Sequence, residues 1–517
     1  MALIGALLAT VVRLPPLVGF LAAGFALGAA GVESSPLVDG AASIGVTVLL
    51  FGVGLKVDVR LLARREVLVP GLTHLAVSAL IGSVFVAALT VAGVGAAAGL
   101  EPRAWALIGF ALSFSSTVLV IKLLEDRNSS RSLGGRTAIG ILVIQDLAAV
   151  VYLAVTQGHP PSPWAALLVL LLPAAVVLRL VLSRIGHDEI LPLYGVVLAL
   201  VPGYWLFDAL GVKGDLGALV LGMLLAGAPR SDELAKSIFT VKELLLVGFF
   251  LSIGLAGIPS VGGLGIALLL LLLLPVQGLT FALLFWACRF RRRTAVLTGT
   301  VLANFSEFGL IVVVAAPDDL LGSEWTSIMG AAVAASFAVA ALPLGRDERL
   351  VGLLRRWLPD RAREQLHPDD RPLDVNDKEA VVLGMGRVGR SAYERLRDAY
   401  GLSVVGIEAS ADRCERLRDA GLDVVEGDAT DPELWSVANF HDARMLLLAM
   451  PFHGSNLTVL AHLRNSGYDG TVAVVAQFDD DLAQGLASGA DTGFQIYDGA
   501  GAELADRAVA SAGGEDR

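Results

Sequence analysis

Charge is scarce in this sequence of 517 residues. Asp, Glu, Lys and Arg together make up 17%, against 55% hydrophobic residues. Soluble domains carry about 25% charged residues, so a large part of this chain is built for a solvent other than water. Cysteine is almost absent. The two present, Cys288 and Cys414, lie in different regions and suggest neither a disulfide framework nor a metal site. Basic residues are outnumbered, with a formal net charge of −11, and no domain-wide basic face for nucleic acid is evident. Basic residues are also missing from the first twelve positions, where no cleavage pattern appears. Met1–Val12 therefore reads as a short first span and not as a removed signal peptide.

What the sequence does have is apolar runs of about 20 residues, the length that crosses a bilayer. They recur to about Leu344 and then stop. Candidate spans lie on Leu17–Ala30, Leu37–Leu55, Val67–Val94, Trp105–Leu124, Gly134–Thr156, Trp164–Ile185 and Ile190–Leu210. They continue on Leu216–Ala228, Ile238–Leu255, Leu264–Cys288, Ala295–Ala316 and Trp325–Leu344. With the first segment this makes about thirteen helices. Loop charge tests that count. Arg13, Arg60/Arg64/Arg65, Arg127/Arg131/Arg136, Arg184, Arg230/Lys236 and Arg289 with Arg291–Arg293 fall in every second loop. The alternate loops are nearly free of Lys and Arg, so the basic loops and everything after the last span face the cytoplasm.

An ionisable residue deep in a span is costly and marks an ion or proton path. Asp146 sits in the middle of an apolar helix, beside Gln145. A carboxylate there binds a dehydrated monovalent cation or a proton but hardly both, and that competition is the simplest basis for cation/proton exchange. The alternative is a structural aspartate hydrogen-bonded to a neighbouring helix. Two spans also look broken. Ser113, Ser115, Ser116 and Thr117 interrupt one, and Asn304-Phe-Ser306-Glu307 interrupts the penultimate one. Paired interruptions in corresponding halves mark inverted-repeat transporters, whose unwound backbone coordinates cations. Helix–helix hydrogen bonding explains the hydroxyl cluster equally well. Glu307 is a charge that tunes the site or one that closes a salt bridge inside the bundle. Lys242 and Glu243 read as a cytoplasmic interface pair with Lys242 snorkelling. Asp215 with Lys213 reads as a surface ion pair, and His74 as a packed polar residue.

The membrane region resembles the monovalent cation:proton antiporter-2 family (CPA2), and within it the Kef-type potassium/proton exchangers. The resemblance is carried by Leu17–Gly28, Leu50–Lys56, Ser115–Glu125, Gly217–Gly227 and, most tellingly, Gly140-Ile-Leu-Val-Ile-Gln145-Asp146-Leu-Ala. Sodium-selective relatives tend to carry Asn-Asp or Asp-Asp where this chain has Gln145-Asp146. The resemblance implies an NhaA-like fold with inverted repeats and crossed broken helices, working as a homodimer by an elevator-like movement. Asp146 would carry K+ or H+, with Gln145, Ser115, Ser116 and Thr117 lining the site. Met1–Val12 is shorter than the family's usual first helix. Relatives of the Kef type are regulated by glutathione, and ancillary subunits are a further expectation.

After a basic connector (346–377) the chain reads Glu379-Ala-Val-Val-Leu-Gly384-Met-Gly386-Arg387-Val388-Gly389. This Gly-x-Gly-x-x-Gly follows an apolar strand and opens a helix, Arg390–Tyr400. A second strand, Leu402–Ile407, ends in Glu408, about 19 residues past the last glycine, as the dinucleotide fingerprint requires. The helix N-terminus would hold phosphate and Glu408 ribose hydroxyls. A third strand, Asp423–Glu426, leads into Gly427-Asp428-Ala429-Thr-Asp-Pro, placed to meet the adenosine. Further strands fall on Ala443–Met450, Val472–Gln477 and Gly493–Tyr497. The run from Gly427 and the strand pattern resemble the potassium-conductance-regulating (RCK, TrkA-N) domain, which implies dimerisation and sensing of AMP or NAD(H).

The sequence thus describes an exchanger domain (1–345), a linker (346–377) and an α/β Rossmann-type regulatory domain (378–517). The expected function is K+/H+ antiport at Asp146 in a prokaryotic inner membrane, under adenine-nucleotide control. A sodium/proton antiporter of the same fold and a ligand-gated potassium channel are the alternatives; no Thr-Val-Gly-Tyr-Gly-like filter is present for the latter. An oxidoreductase is disfavoured, because no second domain follows that would hold a hydride acceptor.

Overall fold

Apolar runs have one backbone solution in hydrocarbon, because only helices and closed barrels satisfy every N–H and C=O internally. The computed structural model bears this out. It describes residues 1–11, 15–55, 62–126, 129, 132–156, 168, 170–185, 190–212, 214–255, 257–317, 320–341, 347–370, 377–427, 429–430, 435, 440 and 443–496. Two compact units are present: Met1–Leu123 with Arg136–Asp360, and Leu124–Gly135 with Arg361–Arg517.

The first unit is helical throughout. Its helices are α1 (Ala2–Val11), α2 (Pro16–Ala29), α3 (Pro36–Leu55), α4 (Arg65–Val91), α5 (Pro102–Leu112), α6 (Thr117–Asp126), α7 (Leu133–Thr156) and α8 (Leu171–Arg184). There follow α9 (Ile190–Leu198), α10 (Gly214–Leu225), α11 (Ser231–Leu255), α12 (Val261–Leu270), α13 (Leu273–Ala287), α14 (Arg292–Leu302), α15 (Glu307–Val314), α16 (Glu324–Ala341) and α17 (Asp347–Leu353). Among the described residues, seven spans are long and apolar enough to cross a membrane, or eight if the bent pair α14–α15 counts as one. Four others, α1, α2, α10 and most of α16, are apolar but shorter. Within the described residues the expected spans are helical, though several are too short for a straight crossing; residues 164–167, 169 and 342–344 of two expected spans lie outside the described residues. After α9 the helix widens into a π-turn, Ala199–Trp205, that accommodates Pro202.

Packing forms two sets of helices, bridged by α16, which also lies against α2, α11 and α12. One is built around α11, which lies against α2, α3 and α9, with α10 against α3. The other joins α4 to α5 and α13, α13 to α14, and α15 to α5 and α16. Close approach in the second group depends on a missing side chain: a Cβ on Gly309 would run into the carbonyl of Ala111.

The second unit is a Rossmann-type sheet. Its strands are β1 (Ala380–Leu383), β2 (Val404–Glu408), β3 (Val424–Glu426), β4 (Met445–Leu448), β5 (Thr471–Ala476) and β6 (Thr492–Gln495). All five pairings are parallel, in the order β3-β2-β1-β4-β5-β6. Helices α18 (Arg387–Tyr400), α19 (Ala411–Asp419), α20 (His453–Ser466) and α21 (Asp479–Ala487) connect them. Strand β1 is buried at every position, as a central strand covered on both faces must be. Separate apolar clusters lie around Val381 and Leu383 and around Ala380 and Val382, following the two-residue alternation of the pleat. Helix α18 begins at Arg387, three residues earlier than the sequence pattern suggests, because Gly386 itself is the N-cap.

Candidate ion site and nucleotide crevice

The two interruptions in the helical unit meet. Between α5 and α6, residues 113–116 leave the helix, and between α14 and α15, residues 303–306 do so, with a 41° bend across the latter. Helix ends buried away from water need partners for their free amides and carbonyls. Here each break supplies them to the other. Asn304 Oδ1 accepts from the Ser116 amide at 2.7 Å, while the Ser115 hydroxyl donates to the Leu302 carbonyl at 2.7 Å. Asn304 also donates to the Val301 carbonyl (2.8 Å), and Ser336 accepts from the Phe305 amide (3.1 Å). Gln277 donates to the Leu112 carbonyl at the end of α5.

Gln145 belongs to this scaffold. Its Oε1 accepts from the Ser115 amide at 2.9 Å and its Nε2 donates to the Ser113 carbonyl at 3.3 Å. One residue on, and so about 100° around α7, Asp146 faces a different way. It is 3% exposed and accepts from the Thr117 hydroxyl at 3.2 Å. A cavity of about 50 Å³ opens beside it, room for one or two waters or a largely dehydrated monovalent ion. Asp146, Thr117 and Glu307 line this cavity, whereas Gln145, Ser115 and Ser116 do not. The sequence-predicted set thus divides into three residues on the cavity and three that hold the breaks in shape.

Glu307 opens α15, capped by Ser306, and is 1% exposed. One of its oxygens, Oε1, has no hydrogen-bond partner among the described residues. A carboxylate in the first turn lies at the positive end of its helix. Thr117, at the start of α6, turns a second helix N-terminus towards the same space.

The sequence reading of Lys242 is overturned. Lys242 does not snorkel: it is 6% exposed, lines the cavity of Asp146 and Glu307, and stacks over the Phe239 ring with Nζ 4.4 Å from its centroid. The physical reason is the start of α11. That helix begins at Ser231, which puts Lys242 about three turns in and not at the membrane surface. Ser231-Asp232-Glu233, a helix-start pattern, was the signal. Two carboxylates and one ammonium therefore share one small apolar cavity. His74 is packed as expected, stacked on Phe281 at 3.4 Å. Asp215 accepts from Thr47 at 2.7 Å; Lys213 lies outside the described residues.

In the Rossmann unit the strand order reverses at β1 and β4, where such sheets bind ligands beyond their carboxyl ends. A crevice of about 1050 Å³ lies there. Gly384 has φ +92° and turns the chain, and a Cβ on Gly389 would strike the Gly384 carbonyl. At Gly386 a Cβ would meet nothing, so this position borders open space. No side chain caps α18, which leaves the amides of Arg387, Val388 and Gly389 facing outward for an anion. Glu408 closes the other side. Its carboxylate accepts from the amides of Met385 and Ser410, both at 3.0 Å, and pairs with Arg413 at 3.3 Å. It thereby fixes the glycine turn as well as lining the crevice. Ala429 also lines it, 5% exposed; Asp428 lies outside the described residues. Beneath Glu408, burial pushes the Cys414 thiol up to about 11. The sequence reading missed Arg413, Asn456 and His453 on the crevice walls. Asn456 is buried, with its Oδ1 unpartnered among the described residues.

Comparison with known proteins agrees with both halves. Residues 1–345 match the family model described as "sodium/hydrogen exchanger, transmembrane", and residues 380–494 match the TrkA-N domain. The putative cation/proton antiporter YbaL of Escherichia coli (strain K12) is 27% identical, over 95% of this chain and 92% of that protein. The glutathione-regulated potassium-efflux system protein KefC of Cronobacter sakazakii is 30% identical, over 85% and 72%. Among solved structures, the sodium proton antiporter MjNhaP1 of Methanocaldococcus jannaschii aligns over 68% of this chain and 97% of its own, with 17% identity and a TM-score of 0.46. The chain belongs to the sodium/hydrogen exchanger family, as a Kef-type cation/proton antiporter of the CPA2 branch: a multi-pass membrane transporter, not an enzyme, with a cytoplasmic TrkA-N domain.

Proposed function

We propose that this protein exchanges potassium for protons at Asp146 and that an adenine nucleotide, AMP or NAD(H), bound at the glycine turn regulates the exchange. The observation that carries the transport reading is the cavity itself. Glu307 reaches it from α15, and Asp146 and Thr117 from α7 and α6, which hydrogen bonds tie to the breaks, while Lys242, Phe239 and Val53 reach it from α11 and α3. A site on the seam between two helix groups changes its access when one group slides past the other, which is the elevator movement the family resemblance implies. Asp146 holds the cation or the proton, the Thr117 hydroxyl offers a second oxygen, and Glu307 adds negative charge. Lys242 balances these carboxylates when no ion is bound. The Gln145-Asp146 pair and the relatives named for potassium efflux support potassium as the cation.

Regulation is read from the crevice, where the outward amides of α18 suit a phosphate and the open approach at Gly386 lets it come close. Glu408 suits ribose hydroxyls. The working unit is a homodimer, and glutathione, from the relatives' names, is a second regulator to test.

The test uses full-length protein in proteoliposomes. Potassium-driven proton flux, compared with sodium and rubidium and with and without AMP or NADH, is abolished by Asp146→Asn. Normal exchange by that variant overturns the carrier assignment; potassium flux without coupled protons would make the protein a channel.

A further inference from the structure

The segment that follows the last span folds back on α13 and α14. Val351 and Leu358 are buried with Ala282, Val296 and Leu297. Its far end is fixed twice, by Trp286 Nε1 donating to the Pro359 carbonyl at 3.0 Å and by the Arg292–Asp360 ion pair at 2.9 Å. These contacts lie beside the loop of Arg289 and Arg291, which the loop-charge pattern assigns to the cytoplasmic face.

The outer side of this strap is unlike a protein surface in water. Leu353 is 75% and Trp357 64% exposed. They flank the tight 3-10 turn Leu354–Arg356. Between them Arg355 and Arg356 are exposed, as is Arg349. Helix α13, on which the strap lies, exposes Val276 and Leu283, and Leu268 and Leu272 are exposed towards its start, apolar surface suited to hydrocarbon. Tryptophan prefers the head-group level of a bilayer, and juxtamembrane arginines on the cytoplasmic side are attracted to anionic lipid.

We propose that residues 349–357 form an interfacial strap that binds anionic phospholipid in the cytoplasmic leaflet. Leu353 and Trp357 enter the acyl boundary and Arg355 and Arg356 meet the phosphates. Apolar and basic side chains adjoining in one turn match the layering of that leaflet. The strap is independent of which cation is transported. Through Arg292 it also grips the first residue of α14, the helix that runs into the break at Asn304.

Full-length protein purified in mixed micelles of phosphatidylglycerol and phosphatidylcholine tests this. The parent retains phosphatidylglycerol preferentially. An Arg355→Gln/Arg356→Gln variant loses roughly fivefold of that preference per arginine, while Arg355→Lys/Arg356→Lys keeps it. Brominated phosphatidylcholine quenches a component of the tryptophan emission that Trp357→Phe removes. Equal lipid preference in parent and glutamine variant overturns the proposal, as does an unquenched Trp357. Displacement of the lipid by inorganic phosphate, against chloride at equal ionic strength, also overturns it, by showing a free-anion site. A change in oligomer size with unchanged lipid retention assigns the patch to a second copy of this chain and overturns it too. Unchanged elution and thermal midpoint of the variants show that they are folded.

Discussion

Ser116 and Asn304, 188 positions apart, are joined by a 2.7 Å hydrogen bond from the Ser116 amide to the Asn304 side chain. That bond closes one break in the helices upon the other. Asn304 serves both sides, since its amide group also donates to the Val301 carbonyl. Asn304→Ala leaves a buried N–H and a buried C=O unsatisfied, at a cost of about 1–3 kcal/mol each. The expected result is a thermal midpoint lowered by several degrees and exchange reduced by at least on the order of tenfold, because the N-terminus of α6 loses its fixed position. Parent-level exchange by this variant would show that the crossing is not what holds the site.

Lys242 gives a prediction of opposite sign for binding and turnover. An ammonium in the same cavity as Asp146 repels an arriving cation. Lys242→Gln therefore lowers the apparent KM for the cation, on the order of tenfold for a charge lining the same partly screened cavity. Turnover falls, because the empty carboxylates lose the charge that offsets them within the bundle. Lys242→Arg restores turnover in part. A raised KM in the glutamine variant would count against this role.

Local sequence carried the parts of this architecture that rest on local chemistry. Asp146 stood out because a carboxylate in hydrocarbon is costly, and the breaks because hydroxyl and amide side chains interrupted apolar runs. The pairing of Ser116 with Asn304 left no local trace, since it depends on how two distant segments cross. Gln145 shows the same limit: next to Asp146 in sequence, it points about 100° away on the helix and props the break instead of lining the cavity. Lys242 was misplaced by a helix start set too late. In the Rossmann unit the glycine spacing and Glu408 located the crevice, because the turn imposes its own sequence. Asn456 carries no such signature and reaches the crevice only through the β4–α20 crossover.

The three glycines of the turn separate folding from binding. A side chain at Gly386 meets no neighbouring atom, whereas one at Gly389 would collide with the Gly384 carbonyl. Gly386→Ala is expected to leave the thermal midpoint of the cytoplasmic unit unchanged while weakening AMP or NADH binding by at least about tenfold, as read by isothermal titration on the full chain. Gly389→Ala lowers the midpoint itself. Tight nucleotide binding by the Gly386 variant would move the phosphate site away from the turn.

Cys414 bears on any thiol-based regulation. It is buried beneath β2, its thiol donates to the Glu408 carbonyl at 3.3 Å, and burial pushes it up to about 11 from 9.0. The thiolate is the reactive form, so at neutral pH this cysteine stays protonated and inert towards maleimide and glutathione disulfide. Labelling is expected only on unfolding or in strong alkali. The stability consequence follows from the same shift: a thiol harder to ionise in the folded state stabilises that state less as its unfolded counterpart ionises. Stability should be unaffected by this group below pH 9 and decline as pH rises from 9 towards about 11. Cys414→Ser removes that alkaline decline and leaves exchange in the presence of glutathione at neutral pH equal to the parent's. A glutathione response lost in Cys414→Ser would make the buried thiol a sensor after all.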